Sequence, residues 1–321
     1  MQNSNTPSTL IRKPSELEAK QTISALIYGQ AGVGKTTLGC SAPAPVLFDY
    51  DGGVNRINGA HQCITLQVRS WEDTQNALRE VREQFPDTRT IVIDTVGKML
   101  DYIGDSIIRN DSRMGDRNGS LTLKGYGVRK TIFSDFLKQL AISGYNVIFL
   151  AHEKEEKQGD LTVKRPECGS AGNFNDLVRE MDLVGYMQMV GKFRTLCWAP
   201  TEQFYAKNTC YLPAEDRLPL VVDENGTASG NNDYLARVID RYRTMQEEKR
   251  KTTAAYEELL GEIDLMLAAV SSADALTETM EAIKAKAPIY NSRLVAAQKI
   301  AGRAKALGFV YDKENGKYVA A

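Results

Sequence analysis

Gly29-Gln30-Ala31-Gly32-Val33-Gly34-Lys35-Thr36 fits the pattern G-x-x-x-x-G-K-[ST], a loop that cradles a polyphosphate. Ser24-Ala25-Leu26-Ile27-Tyr28 runs into it as a short apolar strand, and Thr37-Leu38-Gly39-Cys40 leaves it as the first turn of a helix. That strand–loop–helix context separates the pattern from a chance glycine-rich turn. Backbone N–H groups of such a turn and the positive end of a helix dipole hold anions together. Residues 29–37, ending in Thr37, are therefore expected to hold ATP. Lys35 would reach the β- and γ-phosphates, and Thr36 would hold Mg²⁺.

Outward from the loop, apolar runs end in carboxylates. Val46-Leu47-Phe48 leads into Asp49-Tyr50-Asp51-Gly52-Gly53. Asp49 and Asp51 are two apart and share a face of an extended strand. Alone they read as an acidic turn; beside a phosphate loop, one of them can orient and deprotonate an attacking water. Trp71, Leu78, Val81 and Phe85 are spaced as the buried stripe of a covering helix. Thr90-Ile91-Val92-Ile93 then ends at Asp94, a Walker B pattern whose aspartate is expected in the magnesium shell. Asn146-Val147-Ile148-Phe149-Leu150-Ala151 ends at His152-Glu153. His152 reads equally as a structural histidine or as a γ-phosphate sensor.

Between these strands lie polar stretches. Residues 104–130 carry Arg113, Arg117, Lys124, Tyr126, Arg129 and Lys130 among spaced glycines, and predict a long mobile loop. Cations with an aromatic suit single-stranded DNA; composition alone fits a solvated surface equally. Residues 153–173 read as a second polar loop, with a hairpin at Gln158-Gly159-Asp160. Strands are expected at Leu183–Met189, Phe193–Trp198 and Glu202–Lys207. The alternation of strands and helices predicts an α/β fold, a mainly parallel sheet covered by helices.

Three segments follow: an N-terminal arm over 1–20, an ATPase domain over 21–225, and a helical C-terminal region over 226–321. In the last, helices are expected at Tyr234–Lys251, Tyr256–Val270, Ala273–Ala285 and Ser292–Leu307, with a terminal hairpin. The net charge of −1 over 321 residues announces no global field for nucleic acid, so any DNA contact must be local. The five cysteines are far apart in sequence and form no C-x-x-C pair, and there are only two histidines. A zinc site is not expected, and a reduced cytoplasmic setting is. The N-terminal residues lack the apolar core of a signal peptide, and no run approaches a membrane span.

The order of Gly29–Thr37, Val46–Gly53, Ile91–Thr95, Phe149–Glu153 and Ala206-Lys207-Asn208 resembles the RecA-type recombinases. It is most similar to the phage-encoded RecA-like P-loop proteins grouped as an AAA-domain family and implicated in single-strand annealing. The recombinases end the strand after their Walker A helix in Asp-Thr-Glu-Gly. Here Asp49-Tyr50-Asp51-Gly52 stands in that place, so the resemblance puts the catalytic base at Asp51. In related motors a Lys-x-Arg finger near the last strand acts on a neighbouring subunit's γ-phosphate. Lys207-Asn208-Thr209 keeps the lysine and lacks the arginine, which implies a role in trans for Lys207. The resemblance spans residues 20–225. It implies a RecA-like, Mg²⁺-dependent and DNA-stimulated ATPase that binds single-stranded DNA and assembles as a ring or filament of identical subunits. It also implies a single-strand-binding protein as partner, no membrane, and the host cytoplasm as location. A ring-forming helicase or helicase loader, and a regulatory ATPase acting on a protein partner without DNA, fit the same core.

Overall fold

The strand leading into the phosphate loop is β1 (Ser24–Gly29), and every residue after Ser24 in it is buried. A strand this apolar needs cover on both faces. The computed structural model describes residues 11–159 and 161–321; the first ten residues of the expected N-terminal arm, and Asp160 of the expected hairpin, lie outside them. After β1 come α1 (Lys35–Gly39), β2 (Pro45–Asp49), β3 (Ile64–Gln67), α2 (Trp71–Gln84), β4 (Thr90–Asp94) and α3 (Val96–Asn110). Then follow α4 (Leu123–Ala141), β5 (Asn146–Gln158), β6 (Leu161–Pro166), α5 (Ala171–Glu180), β7 (Leu183–Val190) and β8 (Phe193–Cys197). The short β9 (Lys207–Asn208) and β10 (Glu215–Arg217) precede the long α6 (Tyr234–Ala268).

The strands form one sheet in the order β10-β8-β7-β1-β5-β4-β2-β3, with β6 on β5 and β9 on β7. From β7 to β3 every neighbour is parallel, and β8, β10, β6 and β9 join antiparallel. The molecule is thus a mixed α/β protein built on a large, mostly parallel sheet, as a P-loop NTPase requires. Leu26, Tyr28, Phe48, Ile93 and Phe149 face one layer of core with side chains of α2 to α5. On the other face α1 packs close, a Cβ at Gly39 falling 2.8 Å from Val92 and 3.1 Å from Leu150.

Two compact units result: residues 21–243, and residues 11–20 with 244–321. The first unit continues past residue 225 because Tyr234, Leu235, Val238 and Ile239 are buried, and Leu235 N donates to Ser41 Oγ at 3.0 Å. In the second unit, α7 (Ala273–Ala285), α8 (Ser292–Leu307) and the hairpin β11 (Phe309–Asp312) and β12 (Lys317–Ala320) enclose a small core with residues of α6. Ile263, Leu267, Leu276, Met280, Ile300 and Tyr318 carry that core. Ser15 N donates to Glu257 Oε1 at 3.2 Å within the same unit.

The structure corrects several expectations. Residues 104–130 are not a long loop. Met99, Leu100, Ile103 and Ile107 are buried at helical spacing and carry α3 to Asn110. Thr122 then caps α4, its hydroxyl accepting from Gly125 N at 3.2 Å. Gly125 is buried rather than a hinge: a Cβ there would meet Met114 O at 2.7 Å. The expected helices at 234–251 and 256–270 are one helix. Thr252 and Thr253 turn their hydroxyls onto the carbonyls of Glu248 and Lys249, both at 2.9 Å, and so remain inside it. The expected strand at 202–207 shrinks to β9, while Lys164 N donates to Gln203 O at 2.7 Å. Two cysteines are neighbours after all: Cys40 Sγ and Cys63 Sγ are 3.4 Å apart.

Candidate active site

Parallel strands bring their carboxyl ends to one edge, where ligands of open α/β sheets gather. Register places Gly29 beside His152, and Asp49 beside Asp94, at that edge. β5 lies between β1 and β4, so His152 stands between the phosphate loop and Asp94. The result is a cavity of about 500 Å³ lined by Lys35, Thr36, Asp51, Asp94, His152 and Arg194, among others.

Within the loop, Val33 N donates to Gln30 O at 3.4 Å and Leu38 N to Gly34 O at 3.0 Å. Gln30, Ala31 and Gly32 are exposed to solvent or nearly so, and Val33 is buried beneath them. Lys35 is 5 % exposed, and its Nζ donates to Gly29 O at 2.9 Å and Gln30 O at 2.7 Å. Burial lowers the Lys35 pKa, and the nearby Asp94 works against that. A buried ammonium held only by carbonyls is poised for an anion. Thr37 lines the cavity, and its carbonyl accepts from Asn232 Nδ2 at 2.7 Å.

Thr36 Oγ1 donates to Asp94 Oδ2 at 2.6 Å. Asp94 is 3 % exposed, and burial raises its pKa above the ordinary carboxylate value, while the Thr36 bond opposes the rise. A Cβ at Gly53 would fall 3.1 Å from both Asp94 Oδ2 and Thr36 Oγ1, so a side chain there would press on both groups. A hydroxyl and a carboxylate side by side are the hard oxygen donors that Mg²⁺ takes alongside water and phosphate oxygens. The residues fit the ion; Thr36 and Asp94 would hold it, and it would supply charge stabilisation to the phosphates.

The two candidate bases differ in kind. Asp49 is buried and accepts three backbone N–H bonds, from Asp51 at 3.2 Å, Gly53 at 2.9 Å and Val54 at 3.1 Å. It shapes the turn. Asp51 faces the cavity, with Oδ2 3.8 Å from His152 Nε2 and 3.5 Å from Arg56 Nη1. Geometry therefore leaves Asp51 as the carboxylate available to a water. Beside it Glu153 accepts from Tyr186 Oη at 2.9 Å, and Lys164 Nζ donates to the same hydroxyl at 3.0 Å.

Sequence reasoning missed several contributors, among them Arg56 and Asn58 of the turn after Gly53. Arg194 of β8 sends Nε to Val33 O at 2.8 Å. Nothing local marked it, because the sheet brings it in from two strands away. The turn-rich stretch after residue 219 is tied to the site's rim: Asn58 Nδ2 donates to Gly226 O at 2.6 Å, and His61 Nε2 lies 2.7 Å from Val221 O. Val222 and Gly226 line the cavity, so residues on either side of the expected domain boundary at 225 form one of its walls.

Other expected residues lie elsewhere. Lys207 does not face the loop: its Nζ donates to Val178 O at 3.1 Å and to Met181 O, capping the end of α5. An ammonium so bound is a helix cap within its own chain. Arg129 is not a surface cation either. It is 8 % exposed, sits 4.8 Å from the centroid of the Tyr126 ring, and is packed under Gly169. Arg113 is paired with Asp111 at 2.9 Å, and Lys130 with Asp176 at 3.5 Å. Arg117, Lys124 and Tyr126 are exposed around the start of α4.

Among the described residues no helix is long and apolar enough to cross a membrane. A family profile described as "AAA domain" matches residues 21–210. In Bacillus subtilis (strain 168), the SPbeta prophage-derived uncharacterized protein YorG is 23% identical over 199 residues, an alignment covering 57% of this chain and 58% of that protein. The chain therefore spans little more than half the length of this curated relative.

Proposed function

From the premise that the chain belongs to the AAA-domain family, a family of P-loop ATPases, we propose that it is a Mg²⁺-dependent ATPase that works on single-stranded DNA in phage-type recombination or annealing. The observation that carries the ATPase part is the Thr36–Asp94 bond of 2.6 Å beside the buried Lys35. Two motifs 58 residues apart meet where a Mg²⁺–polyphosphate would sit. Catalysis of phosphoryl transfer is mostly positioning and charge stabilisation, which is what these groups offer. Lys35 neutralises phosphate charge, Thr36 and Asp94 hold the ion, and Asp51 takes the proton of the attacking water. His152, 3.8 Å from Asp51, orients that carboxylate and senses the terminal phosphate.

The DNA part rests on Arg117, Lys124 and Tyr126, exposed where α3 hands over to α4. α3 starts two residues after Asp94, so a change at the ion can pass along it to this surface. The relation to RecA-like recombinases and the phage setting are supported by motif order and by the prophage-derived relative. The test is ATP turnover with and without single-stranded DNA. Stimulation is expected; equal turnover sinks the DNA part and leaves the ATPase. Unwinding that depends on a free strand end would favour a helicase instead. One observation favours a protein partner: Leu123, between Thr122 and Lys124, is 92 % exposed. An ATPase unaffected by DNA and stimulated by a captured protein would establish that reading.

A further inference from the structure

Arg56 and Arg194 are cations of this cavity that no motif accounts for, and Arg56 is paired with Asp51 at 3.5 Å. Arg194 lies on β8, paired antiparallel with Met189 of β7, and β7 runs beside β1. Its Nε donates to Val33 O at 2.8 Å, and a Cβ added at Gly34 would lie 3.0 Å from that nitrogen. The guanidinium therefore lies along the crest of the phosphate loop. It lines the main cavity and also a smaller recess with Thr37, Leu38, Val222 and Asn232. Among the described residues it has no carboxylate partner. A half-buried guanidinium without a counter-charge, beside a loop built for polyphosphate, has a ligand to satisfy it.

The sheet order tells which end of the ligand that is. Arg194 stands on the β7–β8 side of β1, whereas His152 and Asp94 stand on the β5–β4 side. The side of Asp51, Asp94 and His152 is the side of the transferred phosphoryl group. Resting on the nucleotide-binding reading above, we propose that Arg194 binds, in cis, the phosphates that remain on the nucleoside after hydrolysis. In the free protein one donor props Val33 O, and the remaining donors of the planar fork are left for phosphate oxygens. Such a contact is the same before and after the terminal phosphate leaves. It belongs to binding rather than to the transition state.

The test uses the full chain with Arg194→Gln and Arg194→Lys. Glutamine keeps a donor for the Val33 carbonyl and loses the charge; lysine keeps the charge and loses the fork. Affinity for ADP is measured by calorimetry across a salt series, and ATP turnover at saturation. Arg194→Gln is expected to weaken ADP about tenfold or more, as loss of a charged hydrogen bond does. It should also flatten the salt dependence of ADP binding and raise KM for ATP with little change in kcat. Arg194→Lys should recover part of the affinity. Wild-type ADP affinity and salt dependence in Arg194→Gln would overturn the proposal and leave Arg194 as a prop for the loop. So would a loss confined to kcat. Lys35→Ala separates the two levels. If it abolishes ADP binding while Arg194→Gln does not, only the Arg194 assignment falls. If it binds ADP as the native chain does, the phosphate-loop reading itself falls.

Discussion

Single residues divide here into those that serve the turn and those left open to a ligand. Spacing alone does not separate Asp49 from Asp51, since both fall on one face at one strand end; only the resemblance favours Asp51. Hydrogen bonds separate them: Asp49 is spent on three backbone amides, and Asp51 is not. Asp51→Asn should lower ATP turnover by about 10²–10⁴-fold, the range of a general base, with nucleotide affinity nearly kept. Asp49→Asn should instead lower the melting temperature, because an amide cannot accept as a carboxylate does. Steady-state kinetics and thermal melts on both variants decide, and the reverse pattern would exchange the roles. Asp94 makes a prediction of the opposite sign. Burial raises its pKa, so the charged form is disfavoured in the folded chain. Its contribution to stability is lost as pH rises from the ordinary carboxylate value through the raised one. Asp94→Asn is thus expected to melt higher than the native chain at neutral pH without Mg²⁺ and nucleotide. It should also have a flatter profile across that acid window. With both ligands added, only the native chain should gain stability. A melt series against pH, with and without MgATP, measures both.

Secondary-structure elements show why some of the site was legible and some was not. The phosphate loop, Asp94 and His152 each come at the end of a continuous apolar run, so local reading located them, although β5 itself continues past His152 to Gln158. Arg194 and the wall at Val222–Gly226 depend on which strands neighbour β1, and sheet order is not written in any single segment. The stretch 104–130 misled because its glycines resemble hinges. Gly125 is instead a point of close packing at the start of α4, against Met114 and Leu121. The surface that α4 offers is narrower than its composition suggests. Arg129 is buried, and Arg113 and Lys130 are paired, so phosphate contacts fall to Arg117 and Lys124, with Tyr126 to stack. Arg117→Ala with Lys124→Ala should flatten the slope of log affinity for single strands against log salt by about 0.7 per lost contact. Tyr126→Ala should cost about 1–3 kcal/mol of that affinity. Arg113→Ala should change neither by as much, since its charge is already met by Asp111. Equal losses from all four positions would mean a diffuse basic field instead of a site.

At the scale of the whole chain, the nucleotide site belongs entirely to residues 21–243. Every residue lining its cavity, from Ala31 to Gly226, lies in that unit. The boundary does not fall where the composition changes, near residue 225, because the start of α6 completes the covering of the sheet. Leu235 and Ala236 hydrogen-bond to Ser41 just beyond α1, at 3.0 Å each, and Arg243 Nε reaches Gln21 O at 2.8 Å. A fragment of residues 21–243 keeps the large core and these bonds. It is therefore expected to fold and to bind ATP with an affinity close to that of the full chain. A fragment ending at residue 225 exposes the apolar surface that Tyr234, Leu235, Val238, Ile239 and Tyr242 cover. Fully burying one such side chain is worth about 1.5–3 kcal/mol, and several together approach the whole stability of a domain. That shorter fragment should be aggregated or unfolded. Circular dichroism and nucleotide titration of the two fragments make the comparison. If both fold equally well, α6 owes nothing to the ATPase unit. If the longer fragment folds but fails to bind ATP, residues beyond 243 take part in the site.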